Sequence, residues 1–398
     1  MGAVGCVNCT GISRNTERFL MSNRTVAMNL LWCVPGVGGS EEYLLRQLSG
    51  LAHIDHNYEV HVFAPRGFSD RHPEVASIFA VHEAPSDCLR RSQRIAIEHT
   101  WLALQTRGFD VVHHGGGSVP RIGNRNTLLT VHDVQWIDYP HYVAPVKLRY
   151  LKNMVPSSLR RAARVAVPSR FVAGTLTQAF GTSPEKIGVV RHGLEAAFDS
   201  EATSEQELRR KYELGAGPVL VYPAITHPHK NHQFLLRLMG NAQGAWADPN
   251  VRLVCAGSAG SVDGDVRALI DSLGLNDRVV MAGRVSNADR NGLLAMAHAM
   301  VFPSEYEGFG APVIEAMRSG APVICSDRGS LPEVVGDAGL VCALEPDAWE
   351  RALYAVSVRR NEFVSAGHER ARMFTANISA TELVQQYDVV VQRTGKRR

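Results

Sequence analysis

Residues 299–326 read AMVFPSEYEGFGAPVIEAMRSGAPVICS and hold a complete strand–loop–helix–strand unit. Residues 299–302 are a continuous apolar run, the pattern of a strand covered on both faces. A loop follows over 303–310. Ala311-Pro312 then opens a helix carrying Val313, Ile314, Ala316 and Met317. Pro312 is harmless there, because a first-turn N–H has no partner inside the helix. The next apolar run is 321–326. Two such runs joined through a helix form a parallel βαβ unit.

The same alternation extends outward from this unit. Strands are expected over 219–222, 251–256, 279–282 and 339–342 in the second half, and over 26–32, 59–63, 111–113, 127–131, 164–167 and 186–191 in the first. Helices are expected over 41–51, 149–163, 347–375 and 379–391. The stretch 195–208 is polar and acidic and marks the domain boundary. The chain is therefore α/β, with two Rossmann-like, doubly wound parallel-sheet domains facing a cleft, spanning 25–197 and 198–375. Residues 376–398 are expected to form a helix crossing back to the first domain. Residues 1–24 read as a flexible tail, or as an extension ahead of a start at Met21 or Met28. Ligands of such sheets bind beyond the carboxyl ends of the strands, so functional residues should follow strands.

Composition narrows the function classes. The 398 residues are 45% hydrophobic and 20% charged, which suits a folded chain with sizeable cores. Lys and Arg number 42 against 39 Asp and Glu, so no overall basic excess suggests nucleic acid. Seven scattered cysteines do not form a disulfide framework, and Cys6-x-x-Cys9 lacks the second pair that a zinc site needs. No run of 18 apolar residues is present, and Arg14, Glu17 and Arg18 interrupt any secretory core. The expected location is cytoplasmic, with a peripheral place at the inner face of the membrane as the variant of that reading. There the acceptor pattern Asn377-Ile378-Ser379 would go unglycosylated.

Several residues after strands carry chemistry. Glu307 and Glu315 stand eight apart, one on the loop and one in the helix, and carboxylates accept hydrogen bonds from hydroxyl pairs. Amides at Phe309, Gly310 and Ala311 open the helix and form an anion site. After 219–222 comes Pro223-Ala224-Ile225-Thr226-His227-Pro228-His229-Lys230-Asn231-His232, where Lys230 can neutralise a leaving diphosphate. The segment 257–260 either lines a nucleotide pocket or makes a turn, and Arg284 follows the strand at 279–282. In the first half, Gly36-Val37-Gly38-Gly39-Ser40-Glu41 follows a strand and opens a helix. It is neither a Walker loop nor a G-x-G-x-x-G fingerprint, which disfavours a dehydrogenase. His132-Asp133 ends the strand at 127–131 and can position a hydroxyl. His113, His114 and 115–117 could shape an acceptor pocket, and His192 precedes the hinge. No Asp-x-Asp stands beside an apolar strand, so no metal is expected. Residues 146–164 interleave cations with Val146, Leu148, Leu151, Val155 and Leu159. They read as a face lying on an anionic membrane or as a surface helix packed on its own sheet.

The segment 303–339, with Glu307-x7-Glu315, 316–324 and 329–339, resembles the E-x7-E region of retaining family 4 glycosyltransferases, which have the GT-B fold. The likeness covers essentially the whole C-terminal domain. It implies a nucleotide-diphosphate sugar as donor substrate, no cofactor, and a glycan or lipid-linked acceptor. It implies that Glu315 binds ribose, that Glu307 contacts the transferred sugar, and that Phe309, Gly310 and Ala311 meet the hexose or diphosphate. Lys230 matches the lysine of the family's basic pair. Ile225 stands in the arginine's place, leaving His227 or His229 as substitutes beside Thr226. Gly257 and Arg284 fall near the nucleotide, and Gly38 and Gly39 near the diphosphate. His132 falls near the transferred sugar as a positioning group. The 222–232 loop is similar to that of mannosyltransferases making bacterial surface glycans, which favours GDP-mannose. The alternatives are a GT-B epimerase or hydrolase, or a non-catalytic sugar-binding homologue.

Overall fold

The computed structural model describes residues 24–34, 39–195, 198, 201–241 and 244–395. Cys6, Cys9 and Gly36 to Gly38 lie outside the described residues. Strands β1 (Arg24–Asn29), β2 (Tyr58–Ala64), β3 (Ala80–Glu83), β4 (Val111–His114), β5 (Thr127–Thr130), β6 (Arg164–Val167) and β7 (Ile187–Val189) form a seven-stranded sheet in the order 3-2-1-4-5-6-7. Strands β8 (Val219–Tyr222), β9 (Arg252–Cys255), β10 (Val279–Met281), β11 (Ala299–Phe302), β12 (Val323–Ser326) and β13 (Leu340–Cys342) form a six-stranded sheet in the order 10-9-8-11-12-13. All described pairings are parallel. Every residue of β4, β5, β8, β11 and β12 is buried, as strands with both faces covered by helices require.

β3 has no counterpart among the strands expected from sequence. It is a sheet-edge strand reading AVHE with no fully buried residue, so it lacks the apolar run that marked the others. β7 is shorter than the expected 186–191, and Lys186 falls in the turn before it, where its Nζ donates to the Arg160 carbonyl at 2.9 Å.

The helices used below are α1 (Gly39–Leu51), α2 (Pro145–Arg161), α3 (Arg170–Phe180), α4 (Asn287–Met296), α5 (Ala311–Arg318) and α6 (Ala376–Gly395). The chain crosses between domains twice, side by side. Leu194 N–H donates to the Phe374 carbonyl and Ala376 N–H donates to the Leu194 carbonyl, each at 2.8 Å. α6 then packs on the first domain, placing Ala380, Leu383, Tyr387 and Val390 in a core with Val26, Met28 and Leu44. The approach is close enough that a Cβ on Gly50 of α1 would lie 2.1 Å from the Ala376 carbonyl oxygen.

Each sheet reverses its winding once, between β1 and β4 and between β8 and β11. Loops leaving those paired strands diverge and open a crevice, the place where doubly wound sheets take ligands. Lys230 follows β8 and Glu307 follows β11, so the topology brings together residues 77 positions apart.

Candidate donor site at the domain interface

Lys230 Nζ donates to Glu307 Oε1 at 2.5 Å, and both side chains are largely buried. The loop holding Glu307 is pinned on both sides. The Glu307 carbonyl accepts from Ser330 N at 3.1 Å and Oγ at 3.0 Å, and the Gly308 carbonyl accepts from Ser169 Oγ at 2.7 Å. Gly308 is required here, because a Cβ would stand 2.3 Å from the His132 carbonyl oxygen. Gly310 caps α5 at φ 90°, a left-handed conformation that suits glycine. At the opening of α5, Pro312 has no N–H and Val313 N donates to the Gly310 carbonyl at 2.9 Å, with the Ala311 amide ahead of them at the positive end of the helix dipole.

Glu315 lies one turn further into α5 and is buried. Its Oε1 accepts from Arg46 Nη2 at 2.8 Å. Arg46, on α1 of the other domain, is only 2% exposed and also meets Glu42 and Glu195, the latter at 3.4 Å. Burial pulls the Arg46 pKa down, but the carboxylates of Glu315, Glu42 and Glu195 outweigh it and keep the guanidinium charged. The Glu42 pKa is raised too, by burial first and then by the neighbouring Glu315. Arg46 stands out of the sequence only as a partner of Glu42 at i,i+4, which reads as a solvent-facing pair. Its burial between domains left no local signal.

His132 donates through Nε2 to the Gly115 carbonyl at 2.8 Å. A carbonyl can only accept, so Nε2 carries the proton and Nδ1 presents a lone pair. That Nδ1 is buried and has no hydrogen-bond partner. Burial lowers the pKa of the ring, which stays neutral near pH 7. Trp32 and Tyr43 hold it edge-on at 5.8 and 5.4 Å. His192, read from sequence only as a residue before the hinge, stacks on Phe309 at 4.6 Å and ties the two domains face to face. Glu333 adds a further link by accepting from Arg170 N and Phe171 N at the start of α3, at 3.0 and 3.2 Å.

Other expected site residues take different places. Thr226 Oγ1 donates to Asp263 Oδ1 at 3.0 Å and accepts from Gly260 N at 2.6 Å, so its hydroxyl locks two loops together. Gly257 serves the same packing, since its Cβ would meet the Ala224 carbonyl oxygen at 1.9 Å. Arg284 is exposed in the turn after β10. Gly39 opens α1. His227 and His229 flank Lys230, but they do not replace the missing arginine as a fixed charge. Burial, and then Lys230, lower both pKa values, that of His229 to about 3. They can hydrogen-bond a phosphate but carry no charge at pH 7.

The acceptor-pocket reading of His113 and His114 is corrected. Both are buried core side chains. His113 pairs with Tyr387 Oη at 3.0 Å and Thr130 Oγ1 at 2.7 Å, and His114 Nδ1 pairs with Asn29 Nδ2 at 3.2 Å. The membrane-face reading of 146–164 loses its apolar half, because Leu148, Leu151, Val155 and Leu159 pack on the domain's own core. Only Val146 stays widely exposed, at 85%. Among the described residues no helix is long and apolar enough to cross a membrane.

Two family models match the chain. "Glycosyl transferases group 1" covers residues 204–360 and "Glycosyltransferase Family 4" covers residues 37–198. The chain belongs to this glycosyltransferase family, with the GT-B fold. The glycosyltransferase is 30% identical over 229 residues to the O-antigen chain mannosyltransferase RfbU of Salmonella typhimurium, a match over 55% of this chain and 58% of the relative. It is 25% identical over 295 residues to the O-antigen chain mannosyltransferase B of Escherichia coli, over 71% and 76%. The chain thus spans just over half the length of the first and about three quarters of the second. In fold it is similar to a glycosyltransferase from Rickettsia africae, with a TM-score of 0.65, 15% identity and coverage of 93% and 99%. It is also similar to Anabaena HepE, solved with UDP and glucose, with a TM-score of 0.64, 17% identity and coverage of 94% and 99%.

Proposed function

We propose that the protein transfers a hexose, with mannose favoured, from a nucleotide-diphosphate sugar to a glycan or lipid-linked acceptor, with retention at the anomeric carbon and without a metal. The observation that carries this reading is the Lys230–Glu307 pair at the switch point of the C-terminal sheet, beside the N-terminus of α5. A diphosphate there would meet one cation and the opening amides of α5, which stabilise the charge that develops as the anomeric C–O bond breaks. Once Lys230 turns to the phosphate, Glu307 is released to accept from a sugar hydroxyl. Glu315, with one oxygen held by Arg46, keeps the other for a ribose hydroxyl. In the front-face path, the acceptor oxygen bonds to the anomeric carbon on the side the diphosphate leaves. The leaving phosphate takes the electron pair of the broken bond and then the acceptor's proton. No protein nucleophile is needed, and the neutral His132 acts by accepting a hydroxyl hydrogen at Nδ1. Mannose as the sugar is supported by the mannosyltransferase names of the two curated relatives, and guanine as the base follows from the likeness of the 222–232 loop to that of mannosyltransferases.

Thermal-shift titration with UDP-, GDP- and ADP-sugars tests the donor, and NMR of the product's anomeric proton tests the stereochemistry. A shift confined to GDP-mannose and a retained anomer are expected, with turnover unaffected by EDTA. A shift with UDP-sugars alone rejects mannosyl transfer from GDP, and an inverted anomer rejects retention.

A further inference from the structure

A second concave surface lies on the first domain, away from the cleft. It is a groove of about 1270 Å³ beneath the amino ends of β5, β6 and β7, whereas the donor site lies beyond carboxyl ends. Seven cations line it, among them Arg107, Arg121, Arg125, Arg160 and Arg161, and no Asp or Glu does. The whole chain carries only +3, so the charge is gathered on this face and the rest of the molecule is net acidic. Among the described residues, none of those five arginine side chains is ion-paired with a carboxylate. The other two cations are held in place by carbonyls: Lys186 by Arg160 O at 2.9 Å, and Arg393 by Ala163 O and Glu185 O at 3.0 and 2.7 Å. Burial, and then the neighbouring Arg393, lower the pKa of Lys186 and Arg164, as uncompensated like charges do. At the same face Ile122 is 64% exposed in the groove lining and Leu104 is 56% exposed beside lining residue Ala103.

We propose that this groove docks the protein on an anionic phospholipid surface, with headgroup phosphates among the arginines and Ile122 at the acyl boundary. Uncompensated arginines alone would suit any polyanion. The exposed aliphatic side chains among them favour a surface that offers phosphate and hydrocarbon together. The site differs from the apolar stripe of α2, which is used inside the domain, and it borrows only Arg160 and Arg161 from that helix. Docking through the amino ends of the strands leaves the cleft open. The inference does not depend on which sugar is transferred.

The test is co-flotation of the full chain with vesicles of phosphatidylcholine alone and of phosphatidylcholine with phosphatidylglycerol. Binding is expected only to the second, and it should weaken steeply from 0.1 to 1 M salt. Arg121→Gln/Arg125→Gln, both exposed residues, should reduce the partition about tenfold or more. Ile122→Ser should reduce it less, and both variants should keep the wild-type melting temperature and the turnover of a water-soluble acceptor. Equal binding to both vesicles, unchanged binding of the double variant, or binding to heparin but to no vesicle would each overturn the proposal.

Discussion

On the C-terminal side of the cleft, a charged pair sits at the strand ends within one domain: Lys230 with Glu307 across 2.5 Å. On the N-terminal side, the charged and titratable groups are mostly absorbed by packing. His113 and His114 are core hydrogen-bonding groups, and Arg46 is consumed by Glu315 and two further carboxylates. Among the described titratable groups there, the Nδ1 of His132 is buried with its lone pair unspent. The first side is built to receive charge and the second to position neutral hydroxyls. That contrast suits the proposed division of labour between a diphosphate donor and an alcohol acceptor.

The largest expected effect breaks the link between the two sides. Arg46→Met leaves the buried carboxylate of Glu315 without its cation and should cost about 3–5 kcal/mol of stability. Denaturant unfolding measures it, and the double variant Arg46→Met/Glu315→Met should recover part of the loss. A change below about 1 kcal/mol would mean that the network is incidental. Next comes acid sensitivity of the N-terminal domain. Burial holds the folded pKa of His113 and of His114 to about 3, against 6.5 ordinarily. Because these values are lowered, the stabilisation is full above pH 6.5 and is lost as pH falls from there toward 3. Each histidine should contribute a loss of about 2 kcal/mol between pH 6.5 and 5. Melting curves across that range should fall more gently for His114→Gln, and identical slopes would contradict the burial argument. His132→Phe should keep the fold and slow transfer about tenfold, as losing one hydrogen bond to a hydroxyl would. Wild-type turnover by that variant would remove His132 from the site. The smallest effect belongs to Ser169→Ala, which removes the cap of α3 and the bond to the Gly308 carbonyl. It should cost about 1 kcal/mol, read by thermal melting.

What the sequence made legible follows from local pattern. Apolar runs such as 219–222 and 299–302 are strands with both faces covered, and both coincide with β8 and β11. β3 was hidden because an edge strand needs no apolar face, and AVHE offers none. The nearness of Lys230 to Glu307 was implied by family likeness and is explained by the switch point, a property of strand order that no single segment encodes. Arg46 could not be found locally, since its burial comes from the closure of two domains. The histidines misled for the same reason: His113-His114 at a strand end looks like a site until α6 returns to cover it with Tyr387.

The proposed role of Lys230 and Glu307 as the reacting end of the donor site is tested most directly by single-turnover transfer from the proposed donor, GDP-mannose, with Lys230→Met and Glu307→Gln. Each should slow transfer about 10²- to 10³-fold. Binding of free GMP, which lacks the β-phosphate and the sugar, should change less than threefold, an order-of-magnitude bound for sites that share no contact. Transfer within threefold of wild type in both variants, on the same rough scale, would contradict the assignment.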